Sequence, residues 1–144
     1  MRRLGLLVLP ALAAATLATG PALAGQTALR AAMTAEEEVP EPGPAGAKGT
    51  ADVVIDQEAG QLCYKLTYEG IAAPTAGHIH EGPAGAPGPV VVDFDLAKNG
   101  SEACVPADPT ELGHIAADPA GHYVNVHTAD HPKGAIRGQL APAG

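Results

Sequence analysis

The chain has 144 residues, the length of a single domain, with 8 basic and 16 acidic residues and a formal net charge of -8. This acidic balance argues against nucleic acid and anionic membranes as partners. With four aromatic residues and no tryptophan, the chain also lacks the exposed rings on which a carbohydrate or single-strand binding surface is built.

The first 24 residues are predicted to be a secretory signal peptide. Met1-Arg2-Arg3 precedes an apolar stretch from Leu4 to Leu17, and the small-residue ending Ala22-Leu23-Ala24 follows. The apolar run is shorter than the roughly 20 residues that a membrane span needs. We therefore expect residues 1–24 to be removed, residues 25–144 to form one domain without a membrane span, and the product to be secreted or held in the cell envelope.

The residues after the predicted cleavage site alternate between apolar and polar types in short runs. Period-2 stretches cover 29–33, 51–55, 62–68, 90–96, 122–128 and 135–140, and glycine or proline turns separate them. Three prolines between Ser101 and Gly121 leave room for at most a short helical turn around Thr110 to Ile115. The pattern predicts an all-β fold, a Greek-key or immunoglobulin-like β-sandwich or a small barrel, with six to eight short strands.

An acidic, proline-rich connector from Glu36 to Pro44 follows the first predicted strand. Its three adjacent carboxylates suggest calcium, but calcium loops place oxygen ligands at alternating positions around a glycine turn, and that pattern is missing here. We interpret the connector as a solvated segment.

Cys63 and Cys104 both follow the predicted signal and would meet an oxidising compartment, which favours one disulfide between them over a catalytic or metal-binding thiol. Such a bond would close a loop of 41 residues and stabilise the fold by about 4 kcal/mol on the chain-entropy model. Ser101, the one serine of the chain, lies in an Asn-Gly-Ser turn that matches a glycosylation acceptor and not a nucleophile elbow. We set hydrolase chemistry aside.

The segment His78-Ile79-His80 carries the main candidate site. Two histidines at i and i+2 of an extended segment project to the same face, about 7 Å apart along the strand. His127, on a later strand whose same face carries Tyr123 and Asn125, is the natural third ligand, and three imidazoles suit copper or zinc. The alternative is that these histidines are neutral, oriented side chains that hold neighbouring loops, above all Gly82 to Pro89.

Arg137 is the second candidate, on the strand that Gly134 introduces. Its guanidinium would either pair with a carboxylate such as Glu38, which pins the acidic connector to the sheet, or receive an anionic ligand. His122 is expected to point away from His127, and His114 and His131 are expected in loops.

These residues resemble the CHRD domain, a module named from repeats in chordin and found alone in secreted bacterial proteins. The resemblance covers roughly residues 27–140 and rests on Glu38-Val39-Pro40, Gly49, the strand Gln61 to Tyr68 with Gly70, Thr75 with His78-Ile79-His80-Glu81-Gly82, Gly88-Pro89-Val90-Val91, Tyr123 to Thr128 and Gly134 to Leu140. His131 stands where family members often carry an aromatic residue. The resemblance implies a compact all-β extracytoplasmic module that serves as a binding or scaffold domain, without enzymatic activity, for a protein or matrix partner.

A looser similarity links the chain to copper/zinc superoxide dismutases, which also combine an H-x-H strand pair, further histidines and an arginine near the C-terminus. It implies a metal held by His78, His80 and His127, with Arg137 guiding an anion. The chain shows neither the zinc loop nor a fourth copper histidine of those enzymes. The leading hypothesis is therefore the non-enzymatic module, and the alternative is a copper or zinc metalloprotein.

Overall fold

The computed structural model describes residues 25–144, so the predicted signal segment lies outside the described residues. Eight strands form one antiparallel sheet: β1 Gln26–Thr34, β2 Lys48–Asp56, β3 Gln61–Glu69, β4 Ala76–Glu81, β5 Val90–Asp93, β6 Glu102–Pro106, β7 His122–His127 and β8 Ile136–Pro142. Their order across the sheet is β5-β4-β7-β8-β1-β2-β3-β6. The sheet curls into a nearly closed barrel, which confirms the all-β prediction and selects the barrel of its two architectures.

Side chains and backbone close the seam between the two ends of the sheet. The Tyr64 hydroxyl on β3 lies 3.0 Å from the Phe94 carbonyl oxygen and 2.8 Å from that of Gly100. The rings of Tyr64 and Phe94 stack with centroids 4.3 Å apart, and the Leu66 amide donates to the Ser101 carbonyl. These contacts tie β3 to the segment that links the two end strands, β5 and β6.

The interior of the barrel is filled by the inward side chains of the alternating strands. They are fully buried and mostly aliphatic, and include Leu29, Met33, Val53, Ile55, Leu62, Ile79, Val124, Val126, Ile136 and Leu140. The opposite face of β4, β7 and β8 carries the polar residues His78, His80, Tyr123, Asn125, His127, Arg137 and Gln139, as the two-residue period of a strand requires. The candidate site therefore lies outside the barrel wall.

A nine-residue helix, α2, covers Pro109–Ala117, in the stretch where at most a short turn was expected. The expectation was too cautious because Pro109 occupies the first helical turn, where a missing amide hydrogen costs nothing. Asp108 caps the helix by accepting from the amides of Thr110 and Glu111, and Leu112 and Ile115 pack into the core.

Two further elements differ from the sequence expectation. The strand predicted to reach Leu96 ends at Asp93, because Asp95 takes a left-handed conformation and a short helix, α1 Leu96–Asn99, begins there. Strand β6 lies in the stretch whose alternation is weak, and it pairs with β3 as an edge strand. Among residues 25–144, no helix has the length and apolar character needed to cross a membrane.

The predicted disulfide is present. Cys63 on β3 and Cys104 on β6 are directly opposed in the strand register and are bonded to each other. The bond therefore ties the last strand of the sheet to its neighbour.

Candidate metal centre

Two adjacent strands bring three histidines to one point on the outer face of the barrel. His78 and His80 are two residues apart on β4, and His127 lies at the end of β7, which pairs with β4 through Ala76 opposite His127. One ring nitrogen from each histidine lies within 4.8 Å of the other two. All three side chains are partly buried, so the cluster is partly shielded from solvent and remains accessible from it.

Backbone carbonyls fix the orientation of two of the three rings. Nδ1 of His80 lies 2.9 Å from the Gly88 oxygen, and Nδ1 of His127 lies 2.9 Å from the Pro132 oxygen. A carbonyl oxygen only accepts, so both Nδ1 atoms carry the proton. In the neutral rings the lone pair is then on Nε2, and Nε2 of His80 is buried with no hydrogen-bond partner among the described residues.

The third ring, that of His78, is bonded to the second. Its Nδ1 lies 3.1 Å from Nε2 of His127. Because the proton of His127 is already on Nδ1, His78 is the donor of this bond. The lone pair of His127 and the Nδ1 of His78 thus face each other across a short gap.

The surroundings favour the uncharged form of the three rings. Burial is the main cause that lowers the pKa of His78, His80 and His127. For His78, repulsion from a protonated His127 lowers the pKa further, whereas the negative charge of Asp93 raises it. For His80, the hydrogen bond to Gly88 raises the pKa and the positive charge of Arg137 lowers it. A neutral imidazole is the form that binds metal, and the lowered pKa values favour this form in all three rings at neutral pH.

The side chains of Tyr123 and Arg137 are stacked in layers beside His80. The Tyr123 ring lies parallel to the His80 ring with centroids 4.7 Å apart, and the Arg137 guanidinium carbon lies 3.4 Å from the Tyr123 ring centre. Two planar groups at these distances cannot share one face of the ring, so Tyr123 separates Arg137 from His80. The Tyr123 hydroxyl accepts from the Gly88 amide at 3.0 Å.

Arg137 is 1% exposed and holds the loop between β4 and β5 instead of the acidic connector. Its Nη2 donates to the Pro83 carbonyl at 2.8 Å and to Gln139 Oε1 at 3.3 Å, and its Nε has no partner among the described residues. The expected pairing with Glu38 is replaced by a bond from Asn125 Nδ2 to the Glu38 carboxyl group. Burial raises the pKa of Glu38 to about 7, while the Asn125 bond and the Arg137 charge act in the opposite direction.

The remaining histidines stay outside the cluster. His122 is buried and its Nδ1 donates to the Asp118 carbonyl oxygen. His131 lies in the turn after β7, as expected. His114, expected in a loop, lies instead on α2, where its ring is 3.9 Å from the Glu111 carboxylate. The helix forms there for the capping reasons given above.

The sequence analysis expected the histidines to hold the Gly82 to Pro89 loop, but it identified neither the Gly88 carbonyl nor the Pro132 carbonyl as the bonding partner. The conformations of two loops bring the backbone carbonyls of Gly88 and Pro132 to the rings. Every residue has a backbone carbonyl, so the sequence does not mark which one will bond. Tyr123 was placed on the correct face by strand alternation, but nothing in the sequence signals its stack with Arg137.

Comparison with known proteins relates the chain to one family. The model of the CHRD domain family matches residues 29–140, a range that contains the three histidines, Tyr123 and Arg137. No curated protein and no solved structure matches the chain.

Proposed function

The chain belongs to the CHRD domain family, and from this membership and the geometry of the site we propose that it is a non-enzymatic extracytoplasmic binding module. Its ligand is one copper or zinc ion, held by His78, His80 and His127. The proposal joins the binding role expected of the family to the chemistry of the histidine cluster.

The observation that carries the proposal is the convergence of three histidines, two of which have Nε2 preset as the ligand atom. Metal-bound histidines usually donate their second ring nitrogen to a carbonyl or carboxylate, which fixes the tautomer and orients the ring. His80 and His127 each make such a bond to a backbone carbonyl, which leaves Nε2 as the available ligand atom of each ring. Nε2 of His80, which has no hydrogen-bond partner among the described residues, is the kind of ligand atom that a metal site requires.

The ligand type and spacing favour copper or zinc over magnesium or calcium. Imidazole nitrogens suit Zn²⁺ and Cu²⁺, whereas magnesium and calcium prefer oxygen. Nitrogens bound at about 2.1 Å to a tetrahedral ion lie about 3.4 Å apart. The 3.1 Å between His78 Nδ1 and His127 Nε2 is close to this value, and the ligand atoms of the other pairs, which lie within 4.8 Å, need to approach by up to about 1.4 Å. Binding also moves the His78 proton from Nδ1 to Nε2, which frees Nδ1 as the third ligand atom.

Binding is favoured over turnover of an anion such as superoxide. Arg137 lies behind Tyr123 as seen from His80 and is almost fully buried, so its charge does not face an incoming ligand. The carboxylate of Asp93, opposite His78 in the strand register, places negative charge beside the cluster. The Asp93 charge favours a cation over an anion beside His78.

An extracytoplasmic location is part of the proposal. A structural disulfide persists in an oxidising compartment, and the Cys63–Cys104 bond is compatible with secretion or retention in the cell envelope. The predicted signal peptide over residues 1–24 supports the same location. A protein or matrix partner of the module is proposed on the family resemblance.

Metal analysis of the mature protein, purified without chelators, tests the proposal. We expect close to one equivalent of copper or zinc, and titration of the stripped protein with Zn²⁺ should give one binding site. His78→Ala should abolish this site because it removes one of three ligands. His114→Ala is the matched control, since His114 is exposed on α2 and outside the cluster.

The competing function is that of a scaffold whose histidines only brace loops, and the carbonyl bonds of His80 and His127 give it a specific basis. His127→Ala separates the two. Under the scaffold hypothesis it lowers the melting temperature by the same amount with and without Zn²⁺. Under the metal hypothesis the loss is larger with Zn²⁺, because the variant also loses the stabilisation by the ion. Absence of binding after copper and zinc loading would leave only the scaffold.

A further inference from the structure

The Gly88 peptide is bonded at both of its ends to the wall of the candidate site. Its carbonyl accepts from His80 Nδ1 at 2.9 Å, and its amide donates to the Tyr123 hydroxyl at 3.0 Å. The Tyr123 ring is itself stacked on His80. His80, Gly88 and Tyr123 therefore form a closed ring of contacts, in which each member limits the movement of the other two.

Arg137 secures this ring from the far side. Its guanidinium covers the Tyr123 ring at 3.4 Å and donates to the Pro83 carbonyl, at the start of the loop that ends at Gly88. Gln139 donates to the carbonyl of Gly82, so the start of the loop is held by two side chains of β8. The backbone of Gly88 also packs closely against the backbone of Glu81. A Cβ at position 88 would lie 1.7 Å from the Glu81 carbonyl oxygen.

From these contacts we propose that Tyr123 and Arg137 are positioning residues of the metal site, which act by holding the Gly88 carbonyl where it fixes the tautomer of His80. The inference rests on the metal role proposed above. Neither Tyr123 nor Arg137 is a proposed ligand of the ion. Tyr123 acts through the Gly88 peptide and its stack on His80, and Arg137 acts through Tyr123 and Pro83.

The physical reason lies in the choice between two tautomers. A free neutral imidazole carries its proton on either nitrogen, and only the Nδ1–H form offers Nε2 to a metal. The Gly88 carbonyl selects that form, but only while the loop keeps the oxygen within hydrogen-bond distance of the ring. If the loop is released from Tyr123 or Arg137, the Gly88 carbonyl no longer selects the Nδ1–H tautomer of His80.

The experiment combines two substitutions with two measurements. Tyr123→Phe keeps the ring and its stack and removes only the acceptor of the Gly88 amide, whereas Arg137→Lys keeps the charge and removes the planar fork. Long-range ¹H–¹⁵N spectra of the metal-free proteins report which nitrogen of His80 is protonated, and titration with Zn²⁺ gives the affinity. Tyr68→Phe is the matched control, because Tyr68 is 40% exposed on β3, outside the site. Circular dichroism verifies folding.

In the wild-type protein and in Tyr68→Phe we expect a single Nδ1–H tautomer of His80. In Tyr123→Phe and Arg137→Lys we expect a mixture of tautomers and about tenfold weaker Zn²⁺ binding, the lower end of what substitutions behind a metal ligand cost. A single Nδ1–H tautomer in both variants overturns the inference, whatever their affinity. If one variant fails to fold, the other decides.

The two proposals fail separately. A wild-type protein that binds neither zinc nor copper contradicts the proposed function, yet the tautomer of His80 in the metal-free variants still tests the positioning role. A purely structural role of Tyr123 and Arg137 would lower the melting temperature and leave the protonation of His80 unchanged.

Discussion

At the scale of single residues, Glu38 stands out because this acidic residue is only 4% exposed. It accepts from Asn125, and burial raises its pKa to about 7 from an ordinary value of 4.5. The unfolded chain therefore releases this proton at a lower pH than the folded protein does. The contribution of Glu38 to stability therefore falls as pH rises between about 4.5 and 7, because burial opposes its ionisation in the folded state.

We expect Glu38→Gln to remove this fall. The glutamine side chain would keep an acceptor for Asn125 and carry no ionisable group. Between pH 4.5 and 7, the free energy of unfolding of the variant should therefore rise relative to that of the wild type by up to about 3 kcal/mol. The histidine cluster contributes the opposite slope, because its lowered pKa values make stability rise with pH up to about 6.5. It does so in both proteins and cancels in the difference.

Urea unfolding at a series of pH values measures this difference. Glu37→Gln is the control, because Glu37 is the exposed neighbour of Glu38. Parallel stability profiles for Glu38→Gln and the wild type would show that the buried carboxyl group is not protonated in the folded protein at pH 6.

At the scale of elements, the contact between β8 and β1 depends on Gly138. A Cβ at this position would lie 2.0 Å from the Ala32 carbonyl oxygen and 3.1 Å from the Met33 Cα, which are backbone atoms that cannot turn aside. We expect Gly138→Ala to push the two strands apart and to lower the free energy of unfolding by about 3 kcal/mol or more. Chemical denaturation measures the loss.

Gly77→Ala serves as the comparison. Its Cβ would meet side-chain atoms of Leu96 and Phe94 at 3.1 Å, and these can shift by a few tenths of an ångström. We expect a clearly smaller loss of stability. Equal losses would mean that close backbone approach is not what requires a glycine in β8.

The strands also show how far the sequence can predict the fold. The run Leu62, Tyr64, Leu66 alternates strictly and is a strand with every second residue buried. Strand β6 was missed because an edge strand that buries only Val105 leaves little periodicity, and its pairing is set by β3. The H-x-H spacing places two rings on one face by strand geometry alone, but the atoms that orient those rings come from loops, whose conformation depends on the rest of the fold.

At the scale of the whole molecule, the proposed site should couple metal binding to unfolding. An ion bound only by the folded protein stabilises it by about 2.7 kcal/mol at a concentration 100 times its Kd. Because burial lowers the pKa of all three histidines, the rings stay neutral below their ordinary pKa of 6.5. We expect Zn²⁺ to raise the melting temperature at pH 7, and this gain to disappear once the pH falls far enough below 6.5 to protonate the cluster.

Thermal scans with and without Zn²⁺ across this pH range check the expectation. His78→Ala should show no gain at any pH, while His114→Ala should behave like the wild type. A gain in melting temperature that survives in His78→Ala would place the bound zinc elsewhere on the molecule.

The seam of the barrel has a consequence for the protein in crowded surroundings. An open sheet ends in strands whose free amides and carbonyls act as a template on which another chain can add a strand, the first step toward fibrils. Here the Tyr64 hydroxyl and the Leu66 amide already occupy carbonyls of the segment between β5 and β6, and the disulfide fastens β6 to β3. The disulfide thereby holds the edge strand β6 on the sheet, so that β3 does not become a second exposed edge.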